Sequence, residues 1–118
     1  MSYNNIVVDK SKKFAVRIIR LYQYMGSEKK EYILSKQLLR SGTSIGANIK
    51  EAIRGQSKAD FIAKMSIALK EASESEYWLE LLHETDYLNN KQYESIYNDC
   101  QELIKLLTSI IKSSKNNS

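Results

Sequence analysis

Apolar residues recur at steps of three and four along most of the chain, and the recurrence breaks at three places. In the first stretch Phe14, Ile18, Leu21, Tyr22 and Met25 share a face. This predicts a helix over about residues 9–25, capped by Asp9 or Ser11 and ended by Gly26-Ser27. In the second, Leu34, Leu38, Ile45, Ile49 and Ala52 fall in a narrow stripe and predict a helix over about residues 30–54, stopped by Gly55. Ser57-Lys58-Ala59-Asp60 reads as a capping box with Asp in the Glu position. It opens a third helix over about residues 58–87, with Phe61, Met65, Ala68, Leu69, Ala72 and Leu79 on its stripe. Asn89 with Gln92 forms a second capping box before a helix over about residues 90–112. That helix carries Tyr93, Ile96, Tyr97, Cys100, Leu103, Leu107, Ile110 and Ile111 on one face, and the polar tail from Ser113 is expected to fray. The connections are short, so consecutive helices should be antiparallel neighbours. The predicted fold is all-α, an antiparallel up-and-down four-helix bundle filling residues 1–118 as a single domain.

Gly42 and Gly46 sit in the middle of the second helix, where each costs roughly 1 kcal/mol relative to alanine. Small residues surround them (Ser41, Thr43, Ser44, Ala47), so close approach of a neighbouring helix is the expected compensation. The rival is a break into two helices near Gly42. The composition supports long elements: no proline and four glycines among 118 residues leave little material for turns. A lone cysteine, Cys100, excludes both an internal disulfide and a cysteine-built metal site.

Two features exceed what a simple bundle needs. Glu76 falls inside the apolar stripe of the third helix, so its carboxylate requires a partner. Arg40 and Asn48 are the candidates, forming a buried polar contact that fixes helix register. Tyr77, Trp78, Leu81 and Leu82, with Ile67 further up, make a second apolar surface away from the core stripe. It predicts burial against another subunit, unless the fourth helix wraps far enough to cover it.

Charge is unevenly distributed. Residues 1–70 hold 14 Lys/Arg against 5 Asp/Glu, a net +9, and residues 71–118 hold 4 against 9, a net −5. Lys10, Lys13, Arg17 and Arg20 cluster on the first helix, and Lys36, Arg40, Lys50 and Arg54 lie on the side of the second away from its stripe. Lys36 to Arg54 spans roughly 27 Å of helix at about 1.5 Å per residue. Such a stripe suits a phosphate backbone, because each neutralised phosphate releases counterions. Interleaved aromatics for base stacking are missing, so RNA or DNA would be held without sequence reading. The same asymmetry also fits basic and acidic faces meeting between subunits.

Catalytic sets are absent from the pattern. His83 is the single histidine, with Glu80 and Asp86 near enough along the helix to orient it, but no nucleophile is placed beside it. Glu80-Leu81-Leu82-His83 matches the Glu-x-x-His element of di-iron bundles once, without the second histidine such a site needs. Phosphate-loop glycine patterns are missing. The expectation is a protein without catalysis, cofactor or metal. Residues 1–13 lack an apolar run of signal-peptide length and no run is long enough to cross a membrane, which points to the cytoplasm.

The run Leu38-Leu39-Arg40-Ser41-Gly42-Thr43-Ser44-Ile45-Gly46-Ala47-Asn48-Ile49 resembles the signature of the four helix bundle protein family. Its members include the protein encoded within intervening sequences of bacterial 23S ribosomal RNA genes. The resemblance continues through Arg54-Gly55-Gln56-Ser57-Lys58-Ala59-Asp60-Phe61, Ala68-Leu69-Lys70-Glu71-Ala72 and Glu76-Tyr77-Trp78-Leu79, covering about residues 8–112. Members often have alanine after the Asn-Ile pair, and this chain has Lys50, which adds charge and leaves the motif intact. One relative, the accessory protein of diversity-generating retroelements, is a ring-shaped pentamer with a basic surface that engages nucleic acid and a reverse transcriptase. The resemblance therefore implies a homo-oligomer, a pentamer by analogy, with nucleic acid or a reverse transcriptase as partners. It assigns no biochemical activity.

Overall fold

A computed structural model of the chain describes residues 2–117, with side chains described from residue 5 onward. Among the described residues there are four helices and no strand: α1 (Ser2–Lys29), α2 (Leu34–Ile53), α3 (Lys58–Glu84) and α4 (Asn90–Asn116). Each helix packs on the next, α1 also meets α4, and the diagonal pairs stay apart, which is the cyclic order of an up-and-down bundle. Cross-helix contacts show the antiparallel sense. Gly42 meets Ile18 while Gly46 meets Ser11, Ser41 bonds Ser75 while Glu51 pairs with Lys64, and Arg17 reaches Asp99 while Lys10 reaches Glu102.

The apolar stripes supply the core as their spacing requires. Phe14, Ile18 and Met25 of α1, Leu38, Ile45 and Ile49 of α2, Met65 and Leu79 of α3, and Leu103 and Leu107 of α4 are fully or almost fully buried. Helix α2 is unbroken through Gly42, so the two-helix alternative fails. The reason is packing: a Cβ on Gly42 would stand 2.8 Å and 2.9 Å from Ile18 Cγ1 and Cγ2. Glycine there permits α1 and α2 to approach closely, which compensates its poor helix propensity.

Both capping signals read from sequence are in place. The Ser57 hydroxyl accepts the Asp60 N–H at 3.0 Å, and Asn89 and Gln92 exchange reciprocal bonds. Several boundaries differ from expectation. Helix α1 already begins at Ser2, so Asp9 and Ser11 lie inside it, and the buried Ser11 hydroxyl bonds back to the Val8 carbonyl at 2.9 Å. Gly26-Ser27 does not end α1. The helix runs on to Lys29, and Lys30 makes the left-handed turn with φ 56°. Gly26 serves instead as the seat for Tyr32, whose hydroxyl donates to the Gly26 carbonyl at 3.0 Å.

Helix α2 starts at Leu34 rather than near residue 30, because Glu31 caps it from three residues ahead. The Glu31 carboxylate accepts the N–H groups of Ile33, Leu34 and Ser35 at 2.8–3.0 Å. Burial pushes this carboxyl up, but the backbone bonds and the Ser35 side chain together outweigh it and hold it below the ordinary range. At the other end of the bundle's chain path, α3 stops at Glu84, three residues short of the expected limit. Asp86 adopts φ 70°, and the Tyr87 N–H turns back onto the Leu82 carbonyl at 2.9 Å. Helix α4 extends to Asn116, through the tail expected to fray.

Candidate nucleic-acid interface

The eight basic residues picked out from the sequence divide into two groups of four. On α1, Lys10 and Arg17 face α4. Lys10 pairs with Glu102 at 3.1 Å, and Arg17 pairs with Asp99 at 2.7 Å while also bonding Ser95. Lys13 pairs with Asp9 one turn back at 3.1 Å. Arg40 leans from α2 onto α3, where it bridges Glu71 and Glu74. The other four, Arg20, Lys36, Lys50 and Arg54, are exposed and form no ion pair among the described residues.

Helical geometry explains the division. With 3.6 residues per turn, Lys36 and Arg54 share one direction and Lys50 lies about 40° to the α1 side of it. Arg40 lies about 40° to the other side, within reach of α3. Lys36, Lys50 and Arg54 therefore form one outward line. Helix α2 contains no aromatic residue. Between α1 and α2 runs a shallow groove of about 210 Å³, floored by Ala15, Gly46 and Ala47 and flanked by Lys12 and Lys50. Lys12 extends the outward line onto α1. Sequence reading missed it because its place beside Lys50 depends on the α1–α2 register that Gly42 and Gly46 set.

The polar residues proposed for the core find other partners. Glu76 is half-buried and meets neither Arg40 nor Asn48. It accepts bonds from Gln101 and, at 3.4 Å, from the Tyr97 hydroxyl of α4. Asn48 donates to the Ser44 carbonyl of its own helix at 2.8 Å. The buried contact between α2 and α3 is instead Ser41 with Ser75, hydroxyl to hydroxyl at 2.8 Å. The Glu76 charge is felt nearby. Burial first, then Glu76, Asp99 and Glu80, push the Cys100 thiol up to about 12.

His83 is half-buried and stacks on Tyr93 with ring centroids 4.1 Å apart. Its Nε2 meets Asn90 Oδ1 at 2.7 Å, so an amide rather than Glu80 or Asp86 orients the ring. Among the described residues, no three His, Cys, Asp or Glu side chains are grouped to hold a metal ion, and no helix is long and apolar enough to cross a membrane.

The second apolar surface is smaller than expected. Leu82 is fully buried within the bundle and unavailable to a neighbour, because it stands three residues after Leu79 and seven after Ser75, on the same buried stripe of α3. Ile67 and Tyr77 are exposed, at 40% and 53%, and Trp78 and Leu81 are half-buried beside them. The Trp78 ring tilts against Tyr77 at 5.2 Å, and its N–H reaches Glu74.

Comparison with known proteins adds a family. The model of the 23S rRNA-intervening sequence protein family matches residues 3–109. A crystal structure of a protein of unknown function from the S23 ribosomal protein family of Bacteroides thetaiotaomicron VPI-5482 is similar, with 63% identity and a TM-score of 0.92. The match covers 93% of this chain and 98% of that one. Among curated proteins none matches.

Proposed function

We propose that this chain, which belongs to the 23S rRNA-intervening sequence protein family, is a non-catalytic, self-associating, cytoplasmic bundle that holds the phosphate backbone of structured RNA or another nucleic acid. The observation that carries the reading is the outward line Lys36, Lys50 and Arg54, continued by Lys12, none of them in an ion pair among the described residues. Cations already paired gain little from a phosphate, because they must first give up a carboxylate. Unpaired ones gain the counterions that the nucleic acid releases. The absence of an aromatic from α2 favours backbone over bases, and so binding without sequence preference.

The test is a titration of labelled duplex and single-stranded RNA at low and near-physiological salt. Wild type should bind at low salt and lose affinity steeply as salt rises. Reversing Lys36, Lys50 and Arg54 to glutamate should lower the salt slope by roughly three and weaken all sequences about equally. Wild type that ignores RNA at low salt refutes the reading.

A second reading rests on the other four cations. Lys10, Arg17 and Arg40 neutralise carboxylates on α3 and α4, and Lys13 neutralises Asp9, so half of the basic set serves the bundle itself. This favours a protein-interaction scaffold or an accessory subunit, for instance of a reverse transcriptase. In that case RNA affinity would be negligible at every salt concentration.

A further inference from the structure

We propose that the phosphate-binding surface continues from the outward line of α2 around one end of the bundle, and that its ligand is double-stranded RNA. The proposal rests on the nucleic-acid reading above, and it names the class of nucleic acid and the end of the bundle that meets it.

Folding turns the charge asymmetry of the chain into a polarity along the bundle axis. Ile18 against Gly42, Ser41 against Ser75 and the Cys100 thiol on the Ala72 carbonyl mark the waist. One half, residues 2–17, 42–73 and 100–117, contains the turn between α2 and α3. It carries 12 Lys/Arg against 5 Asp/Glu, a net +7. The other half, residues 18–41 and 74–99, carries 6 against 9, a net −3. A polyanion is drawn to the first half and repelled by the second.

The free cations of the basic half are not confined to α2. Lys12, Lys50, Arg54, Lys58 and Lys112 are exposed, and none is in an ion pair among the described residues. They come from all four helices of a bundle 21 by 20 Å in cross-section. Lys12 and Lys50 flank the groove between α1 and α2, and Lys112 stands beside Leu69 across the seam of α3 and α4. Arg54 and Lys58 bracket the turn between α2 and α3.

Lys58 separates this surface from an ordinary solvated face. Lys50 in the last turn of α2 and Arg54 at its C-cap are favoured by that helix's dipole, with or without a ligand. Lys58 is the first residue of α3, where the dipole disfavours a cation. Its charge opposes the helix it starts, and a bound phosphate would offset that.

Two features select a duplex. One line of cations matches the single row of phosphates on one strand, whereas cations placed around the end need a second row, which a duplex supplies across its groove. Proteins that hold single strands stack the bases on aromatic side chains. Among the described residues the exposed aromatics are Tyr32 and Tyr77, and both lie in the acidic half. A duplex stacks its own bases and is recognised by shape and phosphates.

The test is a fluorescence-anisotropy titration of a labelled RNA duplex, and of one of its strands alone, over a series of salt concentrations. Circular dichroism verifies the fold. The end variant is Lys58→Glu with Lys112→Glu. The control, Lys29→Glu with Lys91→Glu, makes the same charge change at exposed positions of the acidic half. Wild type should hold the duplex roughly tenfold more tightly than the strand at low salt, because more phosphates are neutralised. The end variant should lower the salt slope for the duplex by about two, and the control should leave it unchanged. Lys58→Glu alone should not lower the melting temperature, since a carboxylate suits a helix start, so its weaker binding cannot come from a damaged fold. If the end variant unfolds, Lys58→Gln with Lys112→Gln replaces it, with the same expected slope. A duplex slope equal to wild type in the folded end variant overturns the proposal. So does equal weakening by end variant and control, or a single strand held as tightly as the duplex. In those three cases RNA is still bound and the nucleic-acid reading stands. Wild type that ignores RNA at low salt refutes both.

Discussion

Gly42 and Gly46 lie one turn apart on the same helix, and alanine should shift stability in opposite directions at the two. In an exposed helix interior, glycine to alanine gains roughly 1 kcal/mol from reduced backbone freedom in the unfolded chain. At Gly46 the new Cβ would meet Ser11 Oγ at 3.3 Å and Ser11 Cβ at 3.6 Å, so only a slight shift of the serine is needed. Much of the gain survives there. At Gly42 the Cβ would fall 2.8 Å and 2.9 Å from the two γ-carbons of Ile18, a fully buried β-branched side chain with no free direction to move. Overpacking of that kind costs about 1–3 kcal/mol, which exceeds the propensity gain. Gly42→Ala should therefore lose about 1 kcal/mol net, equivalent to a fall in melting temperature of roughly 4–8 °C for a domain near this size. Gly46→Ala should be neutral or raise it by a few degrees. The assay is thermal and urea unfolding by circular dichroism at one protein concentration. The reasoning is refuted if Gly42→Ala melts at or above wild type, or if the two variants shift together.

Glu31→Gln should destabilise the fold by about 1–2 kcal/mol at neutral pH through loss of a charged cap. The folded Glu31 carboxyl lies below its unfolded value of 4.5, so its contribution is complete above that value and disappears as pH falls through the lowered one. The gap between wild type and variant in urea midpoint should close on acidification through that window; a constant gap contradicts the assignment. Cys100, fully buried with its thiol pushed up to about 12, should resist a disulfide reagent at pH 8 and react at once in denaturant. Labelling at a free-thiol rate in the folded protein would show the helix α3–α4 seam to be open. Arg40→Met should lower stability by about 1–3 kcal/mol, since Glu71 already has one buried carboxylate oxygen without a hydrogen bond and would lose its cation. The same change should leave RNA affinity untouched; an affinity loss matching that of the Lys36, Lys50 and Arg54 reversals would place Arg40 on the nucleic-acid face.

The amino-acid sequence alone determined four helices, most of the residues that face inward, and the starts of α3 and α4. Each of those depends on spacing within about seven residues: apolar steps of three and four, or a cap and its partner three positions on. Tertiary structure decided the rest. Gly26 looked like a stop because local propensity favours glycine there, yet it continues α1 because Tyr32 folds back against it. Glu31 was invisible as a cap because its reach to three amide groups depends on how the chain turns after Lys30. Spacing offers Arg40 or Asn48 as the partner of Glu76, but α3 carries Glu71 and Glu74 toward α2 and Glu76 toward α4. Leu82, expected on an outward surface, belongs to the core. The common cause is rotation and axial register: periodicity tells which side of a helix is buried, but partners at its margins are chosen by the neighbour's position. That position is set by packing such as Gly42 on Ile18, which no single segment encodes.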